Sequence, residues 1–96
     1  MFLGLITRCK DEYFIAEFCE YYLLEGVEKI YVIDDDSKNK SIYDSIKNNS
    51  KIEIIYETNI LPKNYAQTLY NKVKDNFIWM IYCDVDDFIT TKKNHL

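Results

Sequence analysis

From Phe2 to Thr7 apolar residues run together with no helical period, and the run stops at Arg8-Cys9-Lys10-Asp11. Beyond it Phe14, Ile15, Phe18, Cys19, Tyr22 and Leu23 recur at three- and four-residue intervals, the spacing of one helix face. Asp11 is placed to cap that helix, and Gly26 stands where a left-handed residue is wanted at its end. Ile30 to Ile33 form a compact β-rich run that ends in Asp34-Asp35-Asp36-Ser37. Ser41, with Asp44 three residues on, has the form of a capping box that opens a short helix through Lys47. Ile52 to Tyr56 reads as a third strand, and Asn64 to Lys74 as a helix with Tyr65, Leu69, Tyr70 and Val73 at helical spacing. Phe77 to Cys83 is the fourth and strongest strand. The order βαβαβαβ predicts a three-layer, Rossmann-like α/β fold, a mostly parallel sheet with helices on both faces.

Size narrows this to one domain over residues 1–96, or part of one, since 96 residues support a core but fall short of a two-pocket enzyme. With 48% hydrophobic and 29% charged residues, two Gly and one Pro, neither disorder nor a linker is indicated. A net charge of −4, with no basic cluster larger than Lys92-Lys93, leaves no electrostatic footprint for nucleic acid. The opening apolar run is too short for a signal peptide and no later run approaches a membrane span, which predicts a cytoplasmic protein. Cys9, Cys19 and Cys83 lack CxxC spacing and read as reduced thiols rather than a disulfide framework or a zinc site.

The acidic residues gain meaning from this order. Parallel strands bring Thr7 and Arg8, Asp34 to Asp36, and Asp84 to Asp87 to one sheet edge, outside the carboxyl ends where α/β folds bind ligands. Asp84 and Asp86 lie on one side of an extended segment, about 6.6 Å apart at Cα, within reach of one ion, with Asp87 pointing the other way. Oxygen ligands alone favour Mg²⁺ or Mn²⁺, completed by water and a substrate's phosphates. The tripeptide itself carries little weight, because nine Asp in 96 residues produce roughly one D-x-D by chance. Asp84 to Asp87 read equally as strand terminators, and Asp34 to Asp36 as a solvated Asx turn.

Three stretches, taken together, resemble the nucleotide-binding half of a GT-A fold glycosyltransferase, closest to the group related to families 2 and 92. Lys10-Asp11-Glu12, Glu17-Phe18, Tyr21-Tyr22 and Gly26-Val27 are similar to that group's first-helix signature; Ile30 to Ser37 resembles its I-Y-x-Y-D-N-x-S; and Trp79 to Ile89 resembles W-x-x-x-x-D-x-D-E-F-I. The likeness covers nearly the whole chain. It implies a metal-dependent transfer of sugar from a nucleoside diphosphate sugar, a UDP-sugar first, to an acceptor hydroxyl. Asp84 and Asp86 would hold Mn²⁺ or Mg²⁺, and Asp35, with Asp34 beside it, would meet the base, where a carboxylate accepts the imide N–H of uracil. Thr7 and Asp84 would line the nucleotide site. Arg8 reads as a surface ion pair with Asp34 or Glu12, Asn64 and Gln67 receive no role, and His95 reads as a bystander.

The sequence departs from that group at Asp87, where Glu is usual, and at Tyr22, where His is usual. It ends before the acceptor half and the general base, so the expectation is a truncated GT-A fold, inactive by itself, whose fourth strand exposes an apolar edge that invites self-association. Two alternatives stay open. A haloacid-dehalogenase-like phosphatase would use Asp84 as nucleophile and Asp86 as acid/base, although Phe88 stands where Thr or Val is expected. A non-catalytic α/β remnant would use its acids to cap turns.

Overall fold

Leu5 and Ile6, adjacent in sequence, are buried in two different cores, and this alternation organises the molecule. The computed structural model describes residues 1–57 and 65–85. Its strands are β1 (Leu3–Cys9), β2 (Lys29–Asp35), β3 (Ile52–Glu57) and β4 (Trp79–Tyr82), with helices α1 (Ile15–Leu24) and α2 (Tyr65–Val73). Among the described residues the strands form one parallel sheet in the order β3-β2-β1-β4. The three-layer α/β fold expected from the element order is therefore present.

One face of β1 and β2 carries Leu5, Cys9, Ile30 and Val32, which pack with Ile15, Phe18 and Cys19 of α1 and with Tyr43 and Ile46. The other carries Ile6, Tyr31 and Ile33, which pack with Leu69 and Val73 of α2 and with Phe77. Such two-sided burial is why the central strands read as apolar runs rather than as alternating ones. Helix α1 ends as its sequence predicts. Gly26 takes φ 111°, the Gly26 N–H donates to the Leu23 carbonyl at 3.3 Å, and the Val27 N–H donates to the Tyr22 carbonyl at 3.0 Å. Those two bonds form a Schellman motif and satisfy carbonyls the helix end leaves open.

The structure corrects three local expectations. Asp11 does not cap α1, whose N-terminal flank is Phe14 with no side-chain cap; its side chain turns instead to the loop after β2. No capping box forms from Ser41 and Asp44: Asn39 caps a 3-10 helix at Lys40–Tyr43 by accepting the Ser41 N–H at 3.1 Å, and Asp44 ends that helix. The fourth strand is shorter than the run Phe77 to Cys83. Only Trp79–Tyr82 is extended, it pairs with β1 alone among the described strands, and Ile78, Trp79 and Tyr82 are more than half exposed. Apolar content states a preference for burial, whereas the edge position follows from strand order. Helix α2 continues beyond Val73 as a 3-10 turn at Lys74–Asn76. No helix among the described residues is long and apolar enough to cross a membrane.

Candidate functional site

Strand order reverses at β1: the chain builds outward to β2 and β3, then returns to place β4 on the opposite side. In open α/β sheets that reversal parts the loops at the carboxyl edge and leaves a crevice. The register sets Cys9 beside Asp34, Arg8 beside Ile33, and Ile6 beside Tyr82. Alternation then sorts the polar residues of this edge. Thr7, Cys9 and Asp34 fall on the α1 face, while Arg8, Asp35 and Tyr82 fall on the α2 face.

On the α1 face the residues brace the fold. Asp34 is fully buried, and its Oδ1 accepts the Tyr43 hydroxyl at 2.5 Å. Its Oδ2 accepts the Ser37 N–H and the Lys40 ammonium, each at 3.3 Å. Burial alone would push the Asp34 carboxyl up; the hydrogen bonds from Ser37, Tyr43 and Lys40 outweigh it and leave the group below its ordinary value. The same burial, with Asp34 next to it, drives the Tyr43 phenol far up, so it stays a donor. Asp11 ties this loop to the end of β1: its N–H donates to Ser37 Oγ at 2.8 Å, and its Oδ1 accepts the Lys38 and Asn39 N–H groups at 2.9 and 3.1 Å. Asp11 holds φ 51° to do so, a left-handed conformation that Asp tolerates better than most residues. Thr7 is fully buried and its hydroxyl donates to the Arg8 carbonyl at 3.4 Å.

The α2 face is different. Arg8 Nη2 lies 3.8 Å from Asp35 Oδ2, and both side chains reach solvent. Asp84 is exposed two residues past the end of β4. Tyr82 stands between these groups: burial raises its phenol, the charge of Asp84 and a hydrogen bond to it raise it further, and Arg8 pulls it partly back. Asp35, Arg8 and the Tyr82–Asp84 pair thus come from three adjacent strands. With neighbouring strands about 4.8 Å apart, β2 and β4 are separated by about 10 Å, too far for one ion to bridge their backbones but a natural span for an extended ligand. A pocket of about 380 Å³ opens between α2 and β4 beside Tyr82.

Of the residues the sequence singles out, the structure brings Asp35 and Asp84 to one edge, and it turns Asp34 and Thr7 into the interior of the opposite face. Asp86 lies outside the described residues, as do Asp87 and His95. Among the described residues no three His, Cys, Asp or Glu side chains gather into a metal-holding group. The donor Asp84 offers, an exposed carboxylate oxygen, is nonetheless of the kind a hard divalent cation takes. Arg8 and Tyr82 carry more of the site than the sequence assigned them. Their signal is the shared parity of Ile6 with Arg8 and of Met80 with Tyr82, but only the strand order makes the two pairs neighbours. Comparison with known protein families, curated proteins and solved structures found no match.

Proposed function

We propose that this chain binds a nucleoside diphosphate sugar, a UDP-sugar first, as the donor-binding part of a cytoplasmic glycosyltransferase that moves the sugar to an acceptor hydroxyl. The observation that carries this reading is the row of Asp35, Arg8 and the Tyr82–Asp84 pair along one face of the crevice at the reversal of strand order. Asp35 accepts the imide N–H of uracil, a donor that neither cytosine nor adenine presents in that form. Arg8 offers a fixed fork of donors to phosphate oxygens, the chemistry for which guanidinium is suited. Asp84, with Asp86 from the following segment, would hold Mn²⁺ or Mg²⁺, which when bound neutralises charge at the diphosphate. These are binding roles, and none of the four residues is given a covalent step. The three free cysteines agree with a reducing compartment. A second copy of the chain is the proposed partner along the open edge of β4.

Calorimetric titration of UDP and GDP, with and without Mn²⁺, tests the reading on wild type, Asp84→Ala, Asp86→Ala and Asp35→Ala. The expected result is Mn²⁺-dependent UDP binding that weakens by about tenfold or more in the first two variants, the loss of about one charge-assisted contact. Asp35→Ala should weaken UDP binding, since it removes the acceptor of the imide N–H. Metal-independent binding, or equal affinity in wild type and Asp84→Ala, overturns it.

A further inference from the structure

Past the Cys9–Asp34 pair the β1–β2 ladder stops, and the two chains leave in different directions, one for α1 and the other for the 3-10 helix at Lys40–Tyr43. Side-chain hydrogen bonds take over where the ladder ends. The Asp11 N–H donates to Ser37 Oγ at 2.8 Å, and Asp11 Oδ1 accepts the N–H groups of Lys38 and Asn39, at 2.9 and 3.1 Å. Ser37, only 3% exposed, carries the link inward: its own N–H donates to Oδ2 of buried Asp34 at 3.3 Å, and Tyr43 holds Asp34 in turn. The loops after β1 and β2 are thereby clipped together, and the clip is anchored in the α1-side core.

The backbone bends to make this contact. Asp11 has φ 51° and Asp36 has φ 54°, the two non-glycine residues of positive φ among those described, one in each loop. A side chain kept in that conformation is over-determined by its surroundings, a condition that clusters at binding and catalytic sites. Arg8 shortly precedes Asp11, and Asp35 shortly precedes Ser37, so the clip and the Arg8–Asp35 pair, 3.8 Å apart, close a small ring across the two strand ends. We infer that Asp11 is a positioning residue for the ligand row: by clipping the loop after β2 to the loop after β1, it fixes the spacing and direction of Arg8 and Asp35 before a ligand arrives. The inference rests on the nucleotide reading above and adds to it a residue that acts through others. Groups already in place lose little freedom on binding, whereas loops free to part must be ordered by the ligand, which weakens its affinity. A clip with a purely structural role would stabilise the fold and leave the affinity of the folded chain unchanged.

Titration of UDP in Mn²⁺ on wild type, Asp11→Asn and Asp11→Gly, each below its melting temperature, separates the two roles. Asparagine keeps the acceptor oxygen and tolerates left-handed backbone, while glycine adopts that backbone freely and removes the acceptor. Both substitutions suit the observed φ, so both proteins should fold, with circular dichroism matching wild type. Asp11→Asn should bind UDP within about twofold of wild type, and Asp11→Gly should bind about three- to tenfold more weakly. Wild-type affinity in Asp11→Gly makes the clip structural alone, which overturns the inference and leaves the nucleotide reading standing. An Asp11→Asn protein as weak as Asp11→Gly assigns the effect to the charge rather than to the clip, and overturns it as well. Failure of wild type to bind UDP removes both readings.

Discussion

Asp34 and Asp35 are neighbours with the same side chain and opposite uses, and the difference is one of strand parity. Asp34 shares the parity of Ile30 and Val32 and enters the α1-side core, where Tyr43, Ser37 and Lys40 occupy its oxygens. Asp35 shares that of Tyr31 and Ile33 and emerges beside Arg8. Tyr43→Phe should cost about 1–3 kcal/mol in urea denaturation, because it removes the donor from a buried carboxylate oxygen. Asp35→Ala, by contrast, should leave stability within about 0.5 kcal/mol, since an exposed ion pair is worth little. The depressed Asp34 also sets an acid limit. Its stabilisation is present above the ordinary carboxyl value of 3.8 and is lost as pH falls through the lower folded-state value, because there the unfolded chain binds more protons. At the alkaline side burial holds the Cys19 thiol up to about 12 from 9.0, so its contribution is intact below 9.0 and disappears as pH rises toward 12. The urea midpoint should therefore fall at both extremes. Asp34→Asn should flatten the acid limb and Cys19→Ala part of the alkaline one.

Packing of β4 onto β1 depends on a glycine. A Cβ at Gly4 would stand 2.6 Å from Met80 Sδ and 2.9 Å from two atoms of the Phe77 ring. Met80 can swing aside, but Phe77 is buried in the α2-side core and has nowhere to go. Gly4→Ala should therefore loosen β4 and cost about 1–3 kcal/mol by overpacking, read as a lower urea midpoint. Much of this architecture was legible in the sequence. The four strands, the two helices and the Gly26 stop follow from apolar period and turn chemistry, and each was placed within a few residues. What escaped were facts of distance along the chain. Asp11 meets Ser37, Lys38 and Asn39, 26 to 28 residues away, so local capping rules misplace it. Arg8 meets Asp35 across two strands, and neither run announces its neighbour. The apolar density of Phe77 to Cys83 could not say whether its strand lies at the centre or at the edge of the sheet.

Strand order leaves the outer side of β4 without a partner among the described residues, and its composition makes that side a template for pairing. Charged residues, which commonly protect such edges, are missing from Trp79–Tyr82, and Ile78 before it is also exposed. A second copy is the occupant whose backbone matches by construction. In the proposed dimer two β4 strands related by a two-fold axis would pair antiparallel and double the sheet, each chain offering the same residues to the other. Phe2 and Trp79 are each more than half exposed, which at roughly 150–250 Å² per aromatic side chain leaves about 170–290 Å² open. Met1, Ile78 and Ile81 add to this, towards the ~800 Å² per partner of a standard interface. Sedimentation velocity over a concentration series should show a dimer fraction that grows with concentration and shrinks in Trp79→Lys, which puts a charge at the edge without touching the pocket. A wild-type protein that sediments as a monomer throughout, or a Trp79→Lys variant that associates as strongly, would show that β4 does not pair between copies.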